Sequence, residues 1–96
     1  MGTLYISEHT AGVVAGGQVV AEPAITEQTV SIGATSAASS PFNEGTRMIR
    51  VHADSICSVA INASPTATTS NKRFAANQTE YFNVLPGNSI AVIENT

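Results

Sequence analysis

The chain has 96 residues, a net charge of −3 and four basic residues. This length suffices for one domain, so we predict a single domain over 1–96. Nucleic-acid binding requires a basic patch that neutralises phosphates, which four cations in an acidic chain do not supply. Apolar residues make up 43% of the chain and charged residues 11%, a composition that excludes intrinsic disorder. The surface is therefore mostly uncharged and loses little hydration on contact, which favours self-association or binding to other proteins.

The N-terminal segment, MGTLYISEHT, has neither the basic region nor the apolar run of a secretory signal. No stretch of the sequence approaches the roughly 18 consecutive apolar residues of a membrane helix. We therefore expect a protein that is made in the cytoplasm and does not contact membranes.

Short apolar alternations separated by turn residues are typical of an all-β domain. In chain order they predict strands at Thr3–Glu8, Gln18–Glu22, Glu27–Ile32, Thr46–Ala53, Ile56–Asn62, Lys72–Ala76, Thr79–Leu85 and Ser89–Glu94. The small-residue stretch 34–42 leaves room for one more short edge strand, and 63–71 is predicted to be an exposed loop. About eight short strands in one domain indicate an antiparallel β-sandwich or jelly roll.

The strands Thr46–Ala53 and Ile56–Asn62 carry the clearest alternation, and Asp54 and Ser55 separate them. We predict that they form a hairpin whose apolar sets pack on the same side. The last strand is apolar on both faces, so we expect it in the interior of a sheet. The predicted core consists of Ile49, Val51, Cys57, Val59, Ile61, Phe82, Val84, Ile90 and Val92.

Residues with catalytic or ligating chemistry are few and poorly spaced. The single cysteine, Cys57, lies in an apolar alternation and is interpreted as a buried hydrophobe. Two histidines do not provide the three or four closely spaced ligands of a zinc site. His52, Asp54 and a nearby serine supply the residue types of a hydrolase triad, but no nucleophile elbow or oxyanion loop accompanies them. We predict no catalytic, metal or cofactor site, and therefore no enzyme.

The seven carboxylates are spread singly along the chain, whereas a glycosidase holds two in one cleft. Aromatic residues make up only 5% of the sequence, so a platform for stacking sugars is poorly supplied. Glycan binding remains a minor alternative.

Several stretches resemble a group of short proteins encoded near the head genes of tailed bacteriophages. The matching pieces are LYISEHTAG, RMIRVHADSICSVAIN, SPTATTSN and KRFAANQTEYFNVLPGNSIAVIENT. The resemblance implies a virion structural protein, foremost a capsid decoration or cement protein that binds the outside of the head as a dimer or trimer. A tail, collar or fibre-base adaptor and a glycan-binding adsorption module are the alternatives. The family supplies no catalytic residues.

For such a protein, the major capsid protein or other virion proteins are the expected partners, and the capsid surface is the expected location. The N-terminal strand is apolar and exposed by its position, which suits addition of this strand to a partner sheet. An ordinary first strand of the sandwich is the equal alternative. We predict partner contacts at Leu4, Tyr5, Ile6, Pro41, Phe42, Pro65, Thr66 and Thr68.

Overall fold

The computed structural model describes residues 2–10, 13–14, 17–18 and 25–95, and it gives the backbone alone at 13–14 and 17–18. These residues form ten strands and no helix: β1 (Gly2–His9), β2 (Val13–Val14), β3 (Gly17–Gln18), β4 (Thr26–Ile32), β5 (Ala37–Ala38), β6 (Met48–Ala53), β7 (Cys57–Asn62), β8 (Lys72–Phe74), β9 (Gln78–Asn83) and β10 (Ser89–Glu94). The predicted strand at Gln18–Glu22 lies outside the described residues beyond Gln18. The other predicted strands are present, with ends that differ by one or two residues.

Eight of the strands form two antiparallel sheets of four, which confirms the predicted all-β sandwich. The first sheet has the order β4-β1-β6-β9 and the second has the order β5-β10-β7-β8, while β2 and β3 pair separately. Followed cyclically from β4 to β10 and then back to β1, the chain has the strand order of a jelly roll, and it changes sheets at every step except between β7 and β8. The first strand of the chain, β1, therefore takes the position that the last strand has in such a fold.

The core lies between the two sheets and is built by period-two alternation along each strand. All nine predicted core residues lie in it, seven of them buried and two, Ile61 and Phe82, partly buried against the rest. Phe74 is the largest fully buried side chain, and its ring lies 6.3 Å from that of Phe82. The last strand, β10, is interior to its sheet as predicted, and its first four residues are buried.

One predicted pairing is wrong. β6 and β7 do not form a hairpin, because β6 pairs with β1 and β9 while β7 pairs with β10 and β8. The bend at Asp54 and Ser55 carries the chain from one sheet to the other, and the apolar sets of both strands still meet in the core. Of the two alternatives for the N-terminal strand, the structure shows the ordinary strand of the sandwich: β1 is not an open edge, because β4 and β6 occupy both of its sides. A partner therefore cannot add a strand beside β1 without displacing one of these.

The segment 63–71 folds over the outer face of the second sheet. The backbone N–H of Ala67 donates to Ser36 Oγ at 2.8 Å, and Asn95 Nδ2 donates both to Thr69 O at 3.2 Å and to Ser58 Oγ at 2.8 Å. Ala67 is itself buried, and so is Ser58, although its side chain points away from the core. Small outer-face residues such as these allow the segment to approach closely. The segment is mostly exposed, as predicted, and it also lies over part of one sheet of its own domain.

Candidate functional site

The outer face of the first sheet gathers polar and aromatic side chains in two rows. In register across the four strands lie Thr29, Tyr5, His52 and Thr79, and beside them Glu27, Ser7, Arg50 and Tyr81. We call these eight residues the tyrosine face, because both tyrosines of the chain lie on it. Tyr5 is 46% exposed and Tyr81 is 41% exposed. Tyrosine and arginine are the residue types that carry most binding energy at recognition sites.

A cavity of about 470 Å³ opens on the β4, β1 and β6 part of this face. Its lining includes Tyr5, Ser7, Thr29, Arg50 and His52, together with Glu27. The volume lies within the range of roughly 300–1,000 Å³ that small-molecule sites occupy. Thr79 and Tyr81, on β9, do not line it.

The two rings beside the cavity are held in fixed relation. Tyr5 and His52 are directly opposed across β1 and β6, with ring centroids 6.3 Å apart and planes inclined at 47°. His52 Nδ1 forms a hydrogen bond with Thr79 Oγ1 at 2.7 Å, which orients the imidazole. The Tyr5 ring consequently presents an aromatic surface at the cavity.

The charged groups of the cavity lie on opposite sides of β1. Glu27 and Arg50 both flank Ser7, one on each neighbouring strand, so about 9–10 Å separates their backbones. Glu27 accepts a hydrogen bond from Ser7 Oγ at 3.4 Å. Arg50 is half-buried and makes no ion pair within the part of the chain that the structure describes. The cavity therefore offers a donor on one side, an acceptor on the other and hydroxyl groups between them.

A second surface lies at one end of the sandwich. Ile25 is 41% exposed, Leu85 is 67% exposed, and Pro41 lies in the neighbouring exposed segment. The segments of Pro41 and Leu85 are joined by backbone hydrogen bonds from Phe42 N to Asn88 O at 2.8 Å and from Gly87 N to Phe42 O at 3.1 Å. We call Ile25, Pro41 and Leu85 the apolar end.

A buried carboxylate fixes the backbone beside the apolar end. Glu8 is 1% exposed and accepts hydrogen bonds from Thr46 Oγ1 at 2.7 Å, Asn43 N at 2.9 Å and Gln28 Nε2 at 3.0 Å. Gln28 in turn bonds both backbone groups of Ser40, accepting from its N–H at 3.0 Å and donating to its carbonyl at 3.3 Å. Because buried carboxylates need such partners, this network determines the path of 39–46.

The structure corrects three of the predicted contact residues. Leu4 and Ile6 are 0% and 1% exposed on the core face of β1, and Phe42 is 3% exposed, so these side chains pack in the core and cannot form a contact surface. The other five are accessible to a partner in whole or in part, and contact through them stays a prediction: Tyr5, Pro41, Pro65, Thr66 and Thr68.

The residues with possible catalytic chemistry have structural partners. Asp54 Oδ1 accepts the backbone N–H of Thr3 at 2.6 Å, while His52 bonds Thr79, so neither is engaged with the other. Cys57 is fully buried, and desolvation, followed by the nearby charge of Asp54, raises the pKa of its thiol to about 11. Among the described residues there is no group of three His, Cys, Asp or Glu side chains placed to hold a metal ion.

The chain is thus a small antiparallel β-sandwich protein with one covered and one open outer face. It matches no protein-family model, and neither curated proteins nor solved structures give a significant match. The described residues include no helix long and apolar enough to cross a membrane.

Proposed function

We propose that the chain is a structural protein of a bacteriophage virion that binds the outside of the head and stabilises contacts between shell subunits. The sequence resemblance to phage head-region proteins supports this function, and so does a compact sandwich whose surface is poor in charge. The observation that carries the proposal is the apolar end, where exposed aliphatic side chains stand on a backbone fixed by hydrogen bonds.

The apolar end is suited to docking because it is apolar and preorganised. Leu85 exposes most of its side chain, and burying a leucine contributes on the order of 1.5–3 kcal/mol. The Glu8 network and the hydrogen bonds between Phe42 and the 87–88 turn already order this backbone. Docking therefore loses little conformational entropy, which is the usual cost of using loops as contact surfaces.

Contacts through the apolar end are individually modest, because its three side chains cover only a small part of a standard interface. A decoration protein compensates by repetition: a dimer or trimer that engages several shell subunits raises its avidity without new contacts. The surface around the apolar end also favours binding to the shell, because it is mostly uncharged and few charges lose water on contact.

The first test is the copy number of the chain in purified virions of the phage that encodes it, measured by quantitative mass spectrometry against the major shell protein. Decoration predicts a stoichiometry comparable to that of the shell subunit. A trace stoichiometry would place the chain in a collar, tail or fibre base, and its absence from particles would overturn the virion proposal.

The docking surface is tested with Leu85→Ser, using Tyr81→Thr as the matched control. Both substitutions remove an exposed apolar side chain, but only the first lies at the apolar end. We expect Leu85→Ser to lower the amount of purified protein that rebinds to undecorated heads at least tenfold, and Tyr81→Thr to change it less than twofold. Equal binding by both variants and the parent chain would show that the apolar end is not the contact.

A further inference from the structure

We infer that the cavity on the tyrosine face is a binding site for a neutral pyranose sugar. This inference does not rest on the virion proposal, because it derives from the geometry of one cavity and concerns a different surface. The occupant is identified by the combination of an aromatic surface, a strong donor, a strong acceptor and several hydroxyl groups around one small volume.

A pyranose has two kinds of surface. The faces of its ring carry C–H groups and pack on aromatic rings, whereas its rim carries hydroxyl groups, each of which both donates and accepts. In the cavity, the Tyr5 ring provides the first kind of contact, and it is 46% exposed at the wall.

The polar groups of the cavity match the rim of a sugar. Arg50 and Glu27 stand on opposite sides of Ser7, so a ring seated above β1 has a guanidinium on one side and a carboxylate on the other. Thr29 and Ser7 add groups that both donate and accept. Hydrogen bonds to charged partners are stronger than those between neutral groups, so these two side chains give most of the polar recognition.

The same arrangement argues against an anionic occupant. A sugar acid or phosphate would be attracted by Arg50 but would meet the carboxylate of Glu27 in the same cavity. The cavity therefore has almost no net charge. Arg50 and Glu27 lie on strands on either side of β1 and do not pair with each other, so both stay available to a ligand. An uncharged ligand with many hydroxyl groups can accept a hydrogen bond from Arg50 and donate one to Glu27.

The cavity also differs from a general protein contact surface. Its volume of about 470 Å³ is a local depression over three strands, whereas Tyr81 on the fourth strand lies outside it. Tyr5 and Tyr81 have nearly equal exposure on one face, at 46% and 41%, but only Tyr5 lines the cavity. Tyr81→Thr is therefore the matched control for Tyr5→Thr in the experiment.

The test is an NMR titration of the ¹⁵N-labelled full chain with the methyl glycosides of glucose, galactose, mannose and glucuronic acid. At least one neutral glycoside is expected to shift the amide signals of Tyr5, Ser7, Thr29 and Arg50 with a Kd on the order of 1 mM, as is usual for a ligand of this size. Tyr5→Thr should weaken binding at least tenfold, and Tyr81→Thr should change it less than twofold. Glu27→Gln, at an exposed position where folding is not at risk, should weaken it severalfold.

Three results would overturn the inference: no shifts with any neutral glycoside, shifts that Tyr5→Thr leaves unchanged, or binding of the glucuronide alone. If sugars fail to bind while Tyr5→Thr abolishes rebinding to phage heads, the tyrosine face is instead a protein contact. Preserved amide dispersion in each variant shows that loss of binding is not loss of folding.

Discussion

The buried carboxylate of Glu8 joins three parts of the chain by hydrogen bonds, and replacing it with glutamine tests how much this network contributes to the free energy of unfolding. One carboxylate oxygen accepts from Asn43 N at 2.9 Å and Thr46 Oγ1 at 2.7 Å, and the other accepts from Gln28 Nε2 at 3.0 Å. Glutamine has the same shape but only one accepting oxygen. Its amide group must therefore face one of these donors.

The loss of stability expected for Glu8→Gln arises because its hydrogen-bond partners are held in place. If the new oxygen keeps the bonds to Asn43 and Thr46, the new amide faces Gln28 Nε2, and two donors oppose each other. Gln28 cannot simply turn its amide, because both ends of it are bonded to the backbone of Ser40. At least one hydrogen bond to a charged group is lost in a buried site, so the free energy of unfolding should fall by about 1.5–3 kcal/mol. For a domain of this size, that lowers Tm by roughly 6–24 °C.

The assay is urea unfolding followed by far-UV circular dichroism, with Glu27→Gln as the control because it makes the same chemical change at an exposed position. The control should lie within about 0.5 kcal/mol of the parent chain. The double variant Glu8→Gln with Gln28→Glu restores a donor–acceptor pair between the two side chains but gives up the bond to the Ser40 carbonyl. It should recover part of the loss. A single Glu8→Gln variant as stable as the parent would refute the network as described.

Three further changes test other parts of the fold. The pKa of Cys57 is raised from 9.0 to about 11, so the thiol of the unfolded chain ionises at lower pH than that of the folded chain. The free energy of unfolding should therefore fall by up to about 2–3 kcal/mol as pH rises from 9 to 11. Urea titrations at each pH should show this fall in the parent chain and not in Cys57→Ala. Gly87→Ala should lower the free energy of unfolding by about 1 kcal/mol in the same assay, because φ at Gly87 is +83°. The control Gly45→Ala should leave it unchanged, because its new methyl group meets only one atom, at 3.7 Å. Phe74→Ala should lower the free energy of unfolding by about 3–5 kcal/mol, since it empties the largest buried site, and a loss below 1 kcal/mol would show that the core is not packed around this ring.

The sequence predicted the strands and the core well because both depend on local alternation. Ile49 and Val51 face the core for the same reason that Phe82 and Ile90 do: in a strand, every second side chain points to the same side. That rule needs no knowledge of the neighbouring strands. The all-β class and nine core residues were therefore available from the chain alone, whereas Leu4, Ile6 and Phe42 were assigned to a contact surface and Phe74 was left out of the predicted core.

Strand pairing was harder to predict, since alternation says which face of a strand is buried but not which strand lies beside it. A hairpin of β6 and β7 and a crossing between the two sheets both direct Val51 and Val59 into the core. The bend at Asp54 and Ser55 is short enough for either. The N-terminal strand stayed open between two alternatives for a related reason: its position in the sequence suggested an edge, and only the sheet order shows that it lies inside a sheet.

The tyrosine face was missed because it depends on register. Counting aromatic residues gave a low total and argued against a sugar platform, but it could not show that Tyr5 on β1 and Tyr81 on β9 share one face. Their positions are far apart in sequence and come together only through β6, which pairs with both strands. Outward alternation of Tyr5, Arg50 and Tyr81 was the available signal, and it acquires meaning only once the sheet order is known.

The two sheets differ in what covers their outer faces, and this asymmetry accounts for where binding can occur. The second sheet presents small residues such as Ser58 outward, and the segment 63–71 lies on them. The first sheet carries larger polar and aromatic side chains that leave a cavity open to solvent. The large apolar or aromatic side chains that are exposed among the described residues lie on the tyrosine face and the apolar end, so we expect other molecules to bind there: Tyr5, Tyr81, Ile25 and Leu85. Because these two surfaces differ in chemistry, a ligand that fits the cavity and a protein that docks on the apolar end should not compete, and saturating sugar should leave rebinding to phage heads unchanged.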